Sequence, residues 1–277
     1  MKNNFTILFF LIFFSTKLFA ENIFIEAKNI SLTKENKISI FENDVVVTTK
    51  NGIINSEYVK HDKVKGFLIL KKDVVAKDKE NNIIQTQYAE YFENDKIFKS
   101  LGPTFVTTTE KYIIDGEDIV IDDNKKIIKS EKKAIVKDQY GNTILLENFV
   151  YDAKTNIFKS IGFIEIEDHL KNKYEFSQIY IDTKKKEILG TDVKTFINDN
   201  KFKYSEKNKP RIFGNTLKLT NKKSTFGKSV FTICDYRKDD KCPPWTIQAS
   251  QILHDNKKKT IYYDNALIKV YDIPIFY

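Results

Sequence analysis

Ile157-Phe158-Lys159-Ser160 and, one residue further on, Gly162-Phe163-Ile164-Glu165-Ile166-Glu167 are the stretch from which the fold of this chain can be read. The second part alternates with period two, so Glu165 and Glu167 face water while Ile164 and Ile166 face inward, as on a half-buried strand. The first part is one line of a repeat. Ile97-Phe98-Lys99-Ser100 and Ile127-Ile128-Lys129-Ser130 precede it at intervals of thirty residues, and Glu187-Ile188-Leu189-Gly190 follows in weaker form. Reading columns at that interval gives Leu68, Phe98, Ile128, Phe158, Ile188, then Ile54, Ile84, Ile114, Ile144, Tyr174, then Val74, Thr104, Ala134, Ile164. Columns that stay mostly apolar while their neighbours vary mean that each unit buries the same face against the next. The same step carries the inward orientation to Ala134 and Val136, to Thr104 and Val106, and to Val74 and Ala76, and a step of twenty-nine carries it to Val45 and Val47.

Working outward, turn signals stand at Asn51-Gly52, Asn81-Asn82, Asn94-Asp95, Asp123-Asn124, Tyr140-Gly141-Asn142 and Asp199-Asn200. Each unit is therefore expected to hold about three short strands, with no helix beyond the leader. The architecture expected is all-β and elongated, built from units of about thirty residues. Periodicity does not separate a parallel β-helix from an antiparallel roll, because either buries the same columns. The repeat fades after about Ile197, residues 201–210 read as a polar loop, and residues 212–233 resume strand-like alternation.

Residues 1–20 read as a secretory signal: Lys2 is the charged start, residues 7–14 are an apolar run, and Leu18-Phe19-Ala20 ends on a small residue. The run is shorter than the ~20 residues a bilayer-spanning helix needs. Losing Lys2 and Lys17 lowers the formal charge from +8 to +6. The remaining positive charge lies in short Lys runs at presumed turns, Lys71-Lys72, Lys125-Lys126, Lys132-Lys133 and residues 184–186 and 257–259, where it solvates turns and guards sheet edges. A weak attraction for anionic lipid or glycan phosphates is the sharper reading. The lysines do not gather into one block interleaved with aromatics, so nucleic acid is not an expected partner.

Little reactive chemistry is written on the chain. His61, His169 and His254 stand far apart without metal-ligand spacing, so no metal site and no cofactor are expected. Asp62, Asp122, Asp152 and Asp182 share one repeat position, but the same column holds Phe92 and falls at strand ends, where aspartate forms turns. No phosphate-cradling glycine loop and no nucleophile elbow are present, and no catalytic residue is assigned. Cys234 and Cys242 are the only cysteines. In an exported chain they are disulfide candidates. A local bond would close a nine-residue loop and be worth about 2.5 kcal/mol in the chain-entropy account; a bond to another segment or chain is the alternative.

The last fifth of the chain carries a resemblance. Cys242-Pro243-Pro244-Trp245-Thr246-Ile247-Gln248-Ala249, then His254-Asp255, residues 258–263, Asn265-Ala266 and finally Ile273-Pro274-Ile275-Phe276-Tyr277 resemble the LptD family of lipopolysaccharide-assembly outer-membrane proteins. In that family the stretch joins a periplasmic β-jellyroll to a transmembrane barrel, and the repeats upstream look like the jellyroll that LptA, LptC and LptD share. The resemblance implies residues 1–20 as signal, 21–230 as an OstA/LptA-like jellyroll and 231–277 as the junction leading to a barrel. Family members continue past this point and the sequence stops at Tyr277, so a truncated chain is expected. Because the family ties its jellyroll-side cysteines to cysteines in the barrel, the resemblance implies barrel partners for Cys234 and Cys242.

The same resemblance implies a non-enzymatic protein of the periplasm, at the periplasmic face of the outer membrane. It would hold lipopolysaccharide with acyl chains inside the roll and pass it towards the translocon. The inward column members Val45, Val47, Val74, Val106, Val136, Ile164 and Ile166, with Phe98, Ile128 and Phe158, become the lipid-groove candidates. Implied partners are an LptA-like periplasmic bridge protein, an outer-membrane lipoprotein and the barrel itself. The strand around Ile23, Phe24 and Ile25 is the expected docking edge for the bridge, since an unguarded edge strand can continue a partner's sheet. Alternative readings are a soluble LptA-like carrier, an exported polysaccharide-active enzyme on a β-helix, and a structural adhesin.

Overall fold

A computed structural model describes residues 23–33, 35, 37–198, 210–220, 222–234, 243–255 and 257–277. Two short strands, β1 (Phe24–Glu26) and β2 (Asn29–Leu32), open the chain and pair side by side with the two halves of β3 (Ile38–Thr48). Then follow β4 (Gly52–Asp62), β5 (Phe67–Asp78) and β6 (Ile83–Phe92). In the middle of the molecule each strand is split by a bend: β7 (Ile97–Ser100) with β8 (Pro103–Thr107), β9 (Ile113–Glu117) with β10 (Val120–Asp122), β11 (Ile127–Ser130) with β12 (Ala134–Lys137), and β13 (Thr143–Leu146) with β14 (Phe149–Asp152). Unbroken strands resume as β15 (Ile157–Glu167), β16 (Lys173–Asp182), β17 (Glu187–Phe196), β18 (Arg211–Leu219), β19 (Lys223–Thr232) and β20 (Trp245–Asp255). The last elements are β21 (Thr260–Asp264), β22 (Leu267–Val270) and β23 (Ile273–Phe276).

All the strands belong to one sheet, and every pairing is antiparallel. This settles the topology that periodicity leaves open: the chain is a meander in which each long strand bonds to the one before and the one after. It also corrects the count of about three short strands per unit. Thirty residues hold two long strands, each bent in the middle. Register shifts mark it at residues 42–45 in β3, 71–74 in β5 and 161–164 in β15, where an additional residue on one strand raises the local twist.

The bends line up from strand to strand and divide the sheet into two half-sheets. β7, β10, β11 and β14 bond successively in one, and β8, β9, β12 and β13 in the other. Their inner faces close on one continuous core. Val74, Val106, Ala134 and Ile164 lie on one side of the bend, and Leu68, Phe98, Phe149 and Phe158 on the other. The alternation that gives Glu165 an outward position is observed as a pairing with Lys173 at 3.5 Å.

Small residues occupy the inner side of the bend because the neighbouring strand passes close there. The Ser130 hydroxyl donates to the Glu117 carbonyl and the Ser160 hydroxyl to the Asn148 carbonyl, each at 2.6 Å, while the Ser100 hydroxyl accepts from the Ile119 N–H at 2.9 Å. These carbonyls and N–H groups belong to bent strands whose ladder is interrupted, and buried backbone groups left unpaired are costly. In the fourth unit the same position is Gly190, where a Cβ would lie 2.2 Å from the Phe176 ring.

Candidate functional site

The residues named as lipid-groove candidates lie on the inner faces of both half-sheets. Val45, Val47, Val74, Val106, Val136, Ile164, Ile166, Phe98 and Phe158 are 0–7% exposed, and Ile128 is half-buried. The interior is closed over them in this structure. Burying side chains of this size contributes roughly 1.5–3 kcal/mol each, so the same residues that could face a lipid chain are the ones that hold the half-sheets together.

Where the half-sheets part, opposite the bend, two rows of turns face each other. One row is formed by residues 63–66, 93–96, 123–126, 153–156 and 183–186, and the other by residues 49–51, 79–82, 108–112, 138–142 and 168–172. In the first row the aspartates of the shared column do the work expected of them. Asp62 accepts from the N–H groups of Val64 and Lys65, Asp122 from Lys125, Asp152 from Lys154 and Asp182 from Lys185. The backbone N–H of Lys125 holds the Asp122 carboxyl below its ordinary range, and that of Lys185 does the same for Asp182. The second row carries a device that sequence reasoning missed although its spacing was visible. Asp78, Asp138 and Asp168 each bind the N–H and the side chain of an asparagine four residues on, Asn82, Asn142 and Asn172. The side-chain carbonyl oxygens of those asparagines then accept from Thr109, His169 and Asn198 in the following turn.

The seam between the rows is crossed by side chains. Asn51 Nδ2 donates to Asp123 Oδ2 at 3.0 Å across 72 residues of sequence. Lys186 Nζ donates to the Tyr140 hydroxyl at 2.7 Å and lies 4.9 Å from the centre of that ring. Just inside stand tyrosines whose hydroxyls reach the turns. Tyr174 donates to Asp168 at 3.2 Å, and burial, with Asp168 beside it, raises its phenol pKa. Burial likewise raises Tyr112, which senses Asp138 and Lys186 on opposite sides of the seam, and Tyr151, which bonds Thr183. The signal for Tyr151 was a substitution in a column, since Tyr91, Ile121, Tyr151 and Ile181 recur at thirty residues.

Two of the clefts in the described surface border these turns and strands. One, of about 340 Å³, opens at the N-terminal end of the seam between Thr49 and Asn51 on one row and Glu93 and Lys96 on the other, with Phe24 and Tyr91 in its wall. The other, of about 450 Å³, lies over β17 to β20 around Tyr180, Leu189, Thr216 and Gly227. At the C-terminal end an aromatic cluster spans the half-sheets. The Phe231 ring lies 6.1 Å from Trp245 and 6.0 Å from Tyr263, edge-on in the second case, and burial pushes the Tyr263 phenol up to about 12.

The expected docking strand is an edge strand on one side of the sheet. Phe24 pairs with Thr48, Ile25 with Val47, and no described residue pairs with the outer side of β1. Phe24 is 60% exposed, and Ile30 and Leu32 of β2 are exposed beside it, while Ile23 and Ile25 pack against the core. Cys234 is half-buried and its N–H donates to Thr232, but Cys242 lies outside the described residues, as do the expected leader (residues 1–20) and the turn expected at Asp199-Asn200. β19 pairs with β20 from Lys223 to Phe231, so the sheet continues through residue 231 without a break. His61 Nε2 lies 2.6 Å from Glu93 Oε1 at the edge of the first turn row. Among the described residues no group of three or more His, Cys, Asp or Glu side chains is placed to hold a metal, and no helix is long and apolar enough to cross a membrane.

No protein-family model and no curated protein matches the sequence. Among solved structures, the chain is similar to the crystal structure of LptH, the LptA-homologous periplasmic component of the conserved lipopolysaccharide transport device from Pseudomonas aeruginosa. The identity is 12%, the alignment covers 65% of this chain and 96% of that one, and the TM-score is 0.22. The all-β architecture stands on this chain's own strand pairing and burial.

Proposed function

We propose that this chain is an exported amphiphile-binding roll of the lipopolysaccharide-transport type, the periplasmic domain of an LptD-like translocon component. The observation that carries the reading is the geometry of the interior. One apolar surface runs unbroken from β3 to β20 between two half-sheets, and a polar seam of turns borders it along its length. An amphiphile with several acyl chains fits such a surface with its chains between the half-sheets and its sugars and phosphates outside. The apolar contact is non-directional, and tyrosines suit a boundary where one end is dry and the other wet. The work proposed is binding and passage, driven from elsewhere. Residues 231–277 serve as the junction to a membrane domain in this reading. A bridge protein docks by strand addition at β1, where Phe24 is exposed on an unpaired edge. The soluble-carrier reading shares the interior and differs in what residues 231–277 do.

A photo-reactive amino acid at Val106 or Phe158 tests the interior in cells making lipopolysaccharide. Both positions are expected to capture it, while Glu165, on the outer face and paired with Lys173, is expected to remain unlabelled. Equal capture at all three positions would refute the proposed function.

A further inference from the structure

We infer that the outer face of the half-sheet containing β7, β10, β11 and β14 carries a binding track for a linear acidic polysaccharide, made of a row of lysines and the cleft over β17 to β20. The track stands apart from the interior and goes beyond the function proposed for it. The repeat that sets the fold also keeps a lysine, as Lys99, Lys129 and Lys159. Strand pairing places these three in one cross-strand row, Lys99–Val120–Lys129–Val150–Lys159–Tyr180–Leu189–Lys218. Phe98 and Phe158 belong to the core, so the residues that follow them lie on the opposite, outer face. Neighbouring strands are ~4.8 Å apart, which spaces the three lysines at ~9.5 Å with one valine between each pair. None of the three has an ion-pair partner among the described residues, and the row holds no carboxylate between Lys99 and Lys218. They are mid-strand residues, distinct from the lysine runs of the turns.

The row leads into the 450 Å³ cleft. Tyr180 and Leu189 are exposed at its lip, and Thr191, Thr216, Thr225, Ser250 and Gln251 line it with hydroxyl and amide groups. A Cβ at Gly227 would lie 2.6 Å from Thr216 Oγ1, so the glycine leaves the floor of the cleft open. An exposed ring beside hydroxyls and amides suits a sugar, which has an apolar ring face and a polar edge. Lys159 Nζ lies 5.6 Å from the centre of the Tyr180 ring, so the last of the three cations adjoins that platform. Lys218, 3.2 Å from Glu187, brings a further cation to the cleft. The cations form a line one residue wide, bordered on the turn side by the row of Asp122, Asp152 and Asp182. A chain laid along the line avoids those carboxylates, whereas a flat anionic bilayer meets them. A glycan with one carboxylate on every second sugar spaces its charges on the scale of the lysines, and sets its uncharged rings over Val120 and Val150.

The test uses the full chain and a fluorescent hyaluronan oligosaccharide, which carries one carboxylate per disaccharide. Anisotropy titrations are run at low ionic strength and at ~0.15 M salt. Lys99→Gln, Lys129→Gln and Lys159→Gln together are expected to weaken binding at least tenfold and to flatten its salt dependence, since an exposed charge contact contributes up to about fivefold. Tyr180→Ala is expected to weaken binding several-fold at unchanged salt dependence. A control triple, Lys77→Gln, Lys111→Gln and Lys137→Gln, makes the same charge change around the other half-sheet and is expected to leave the affinity nearly unchanged. Equal losses in the two triples, or a parent chain that binds the oligosaccharide no better than an uncharged glucan, would overturn the track. Anionic vesicles are the second probe. Lysine-dependent binding to them by a chain that ignores hyaluronan would assign the row to a membrane surface and overturn the polysaccharide.

Discussion

Lys96, Lys111, Lys126, Lys171 and Lys186 hold φ between 54° and 65°, a left-handed conformation near the end of their turns that glycine adopts without strain. Gly66 and Gly141 occupy equivalent places in the two rows. A side chain there costs about 1–2 kcal/mol against the right-handed region. Lys111 is exposed, and its turn is closed by its own N–H on the Thr108 carbonyl at 2.9 Å, a bond glycine keeps. Lys111→Gly is therefore expected to stabilise the protein by about 0.5–1 kcal/mol, after the larger entropy loss of glycine is deducted. A urea titration checks it: the midpoint should rise at unchanged slope, and a midpoint that falls would show that the Lys111 side chain makes a contact of its own. These lysines explain why the turns were only partly legible. With nine glycines in the whole chain, turn chemistry was visible at Asn51-Gly52 and Tyr140-Gly141-Asn142, but a lysine in the left-handed region carries no such mark. The inward columns, by contrast, were fully legible, since a single hydrophobic set repeated at thirty residues leaves one face to bury.

At the scale of the element, the bend decides the architecture, and it was the least readable feature. Ile161-Gly162-Phe163 interrupts the alternation at a place that none of the turn signals marks. Gly162 has φ 112°, and a Cβ added there would lie 2.6 Å from a Glu147 carboxylate oxygen that accepts the Phe163 N–H. Gly102, two units earlier, has φ 84° and nothing within 4 Å. Both glycine-to-alanine changes are strained by conformation, at about 1–3 kcal/mol. Gly162→Ala should cost more than Gly102→Ala, because it also displaces the carboxylate from a strand that is already bent. Equal losses in thermal or urea unfolding would mean that the Glu147 contact contributes nothing to the bend. Pairing direction was illegible for a different reason. A parallel coil and an antiparallel meander bury identical columns, and what distinguishes them is which backbone groups meet, a property that side-chain periodicity does not record.

Taken as a whole, the molecule places ionisable groups at its seam in opposite senses, and its stability should fall at both ends of the pH scale. Burial raises the phenols of Tyr112, Tyr151, Tyr174 and Tyr263 above their ordinary 10, Tyr263 to about 12. Unfolded tyrosine loses its proton first as pH rises, so this stability is complete below pH 10 and is lost between about 10 and 12. Asp122 and Asp182, held below 3.8 by turn N–H groups, act in reverse. Their contribution is present above about pH 4 and disappears as pH falls through their lowered folded values. Melting temperature measured against pH should show both limbs, with Tyr263→Phe shrinking the alkaline one and Asp182→Asn the acid one. A profile flat to pH 12 would mean that these phenols are hydrated in solution.

The meander has a consequence for how such a chain can vary in size. Every long strand is hydrogen-bonded to its neighbours in sequence, and Ile128 repeats the inward place of Phe98 while Lys129 and Ser130 repeat Lys99 and Ser100. Excising residues 98–127 would join Ile97 directly to Ile128 and remove one pair of bent strands with its two turns. The molecule would shorten by about two strand spacings, ~9.5 Å, while both ends of the sheet kept their present faces. Length is thus an adjustable quantity in this protein, set in whole units by duplication or loss of thirty residues, so that the distance it spans can be changed without altering what it presents at either end.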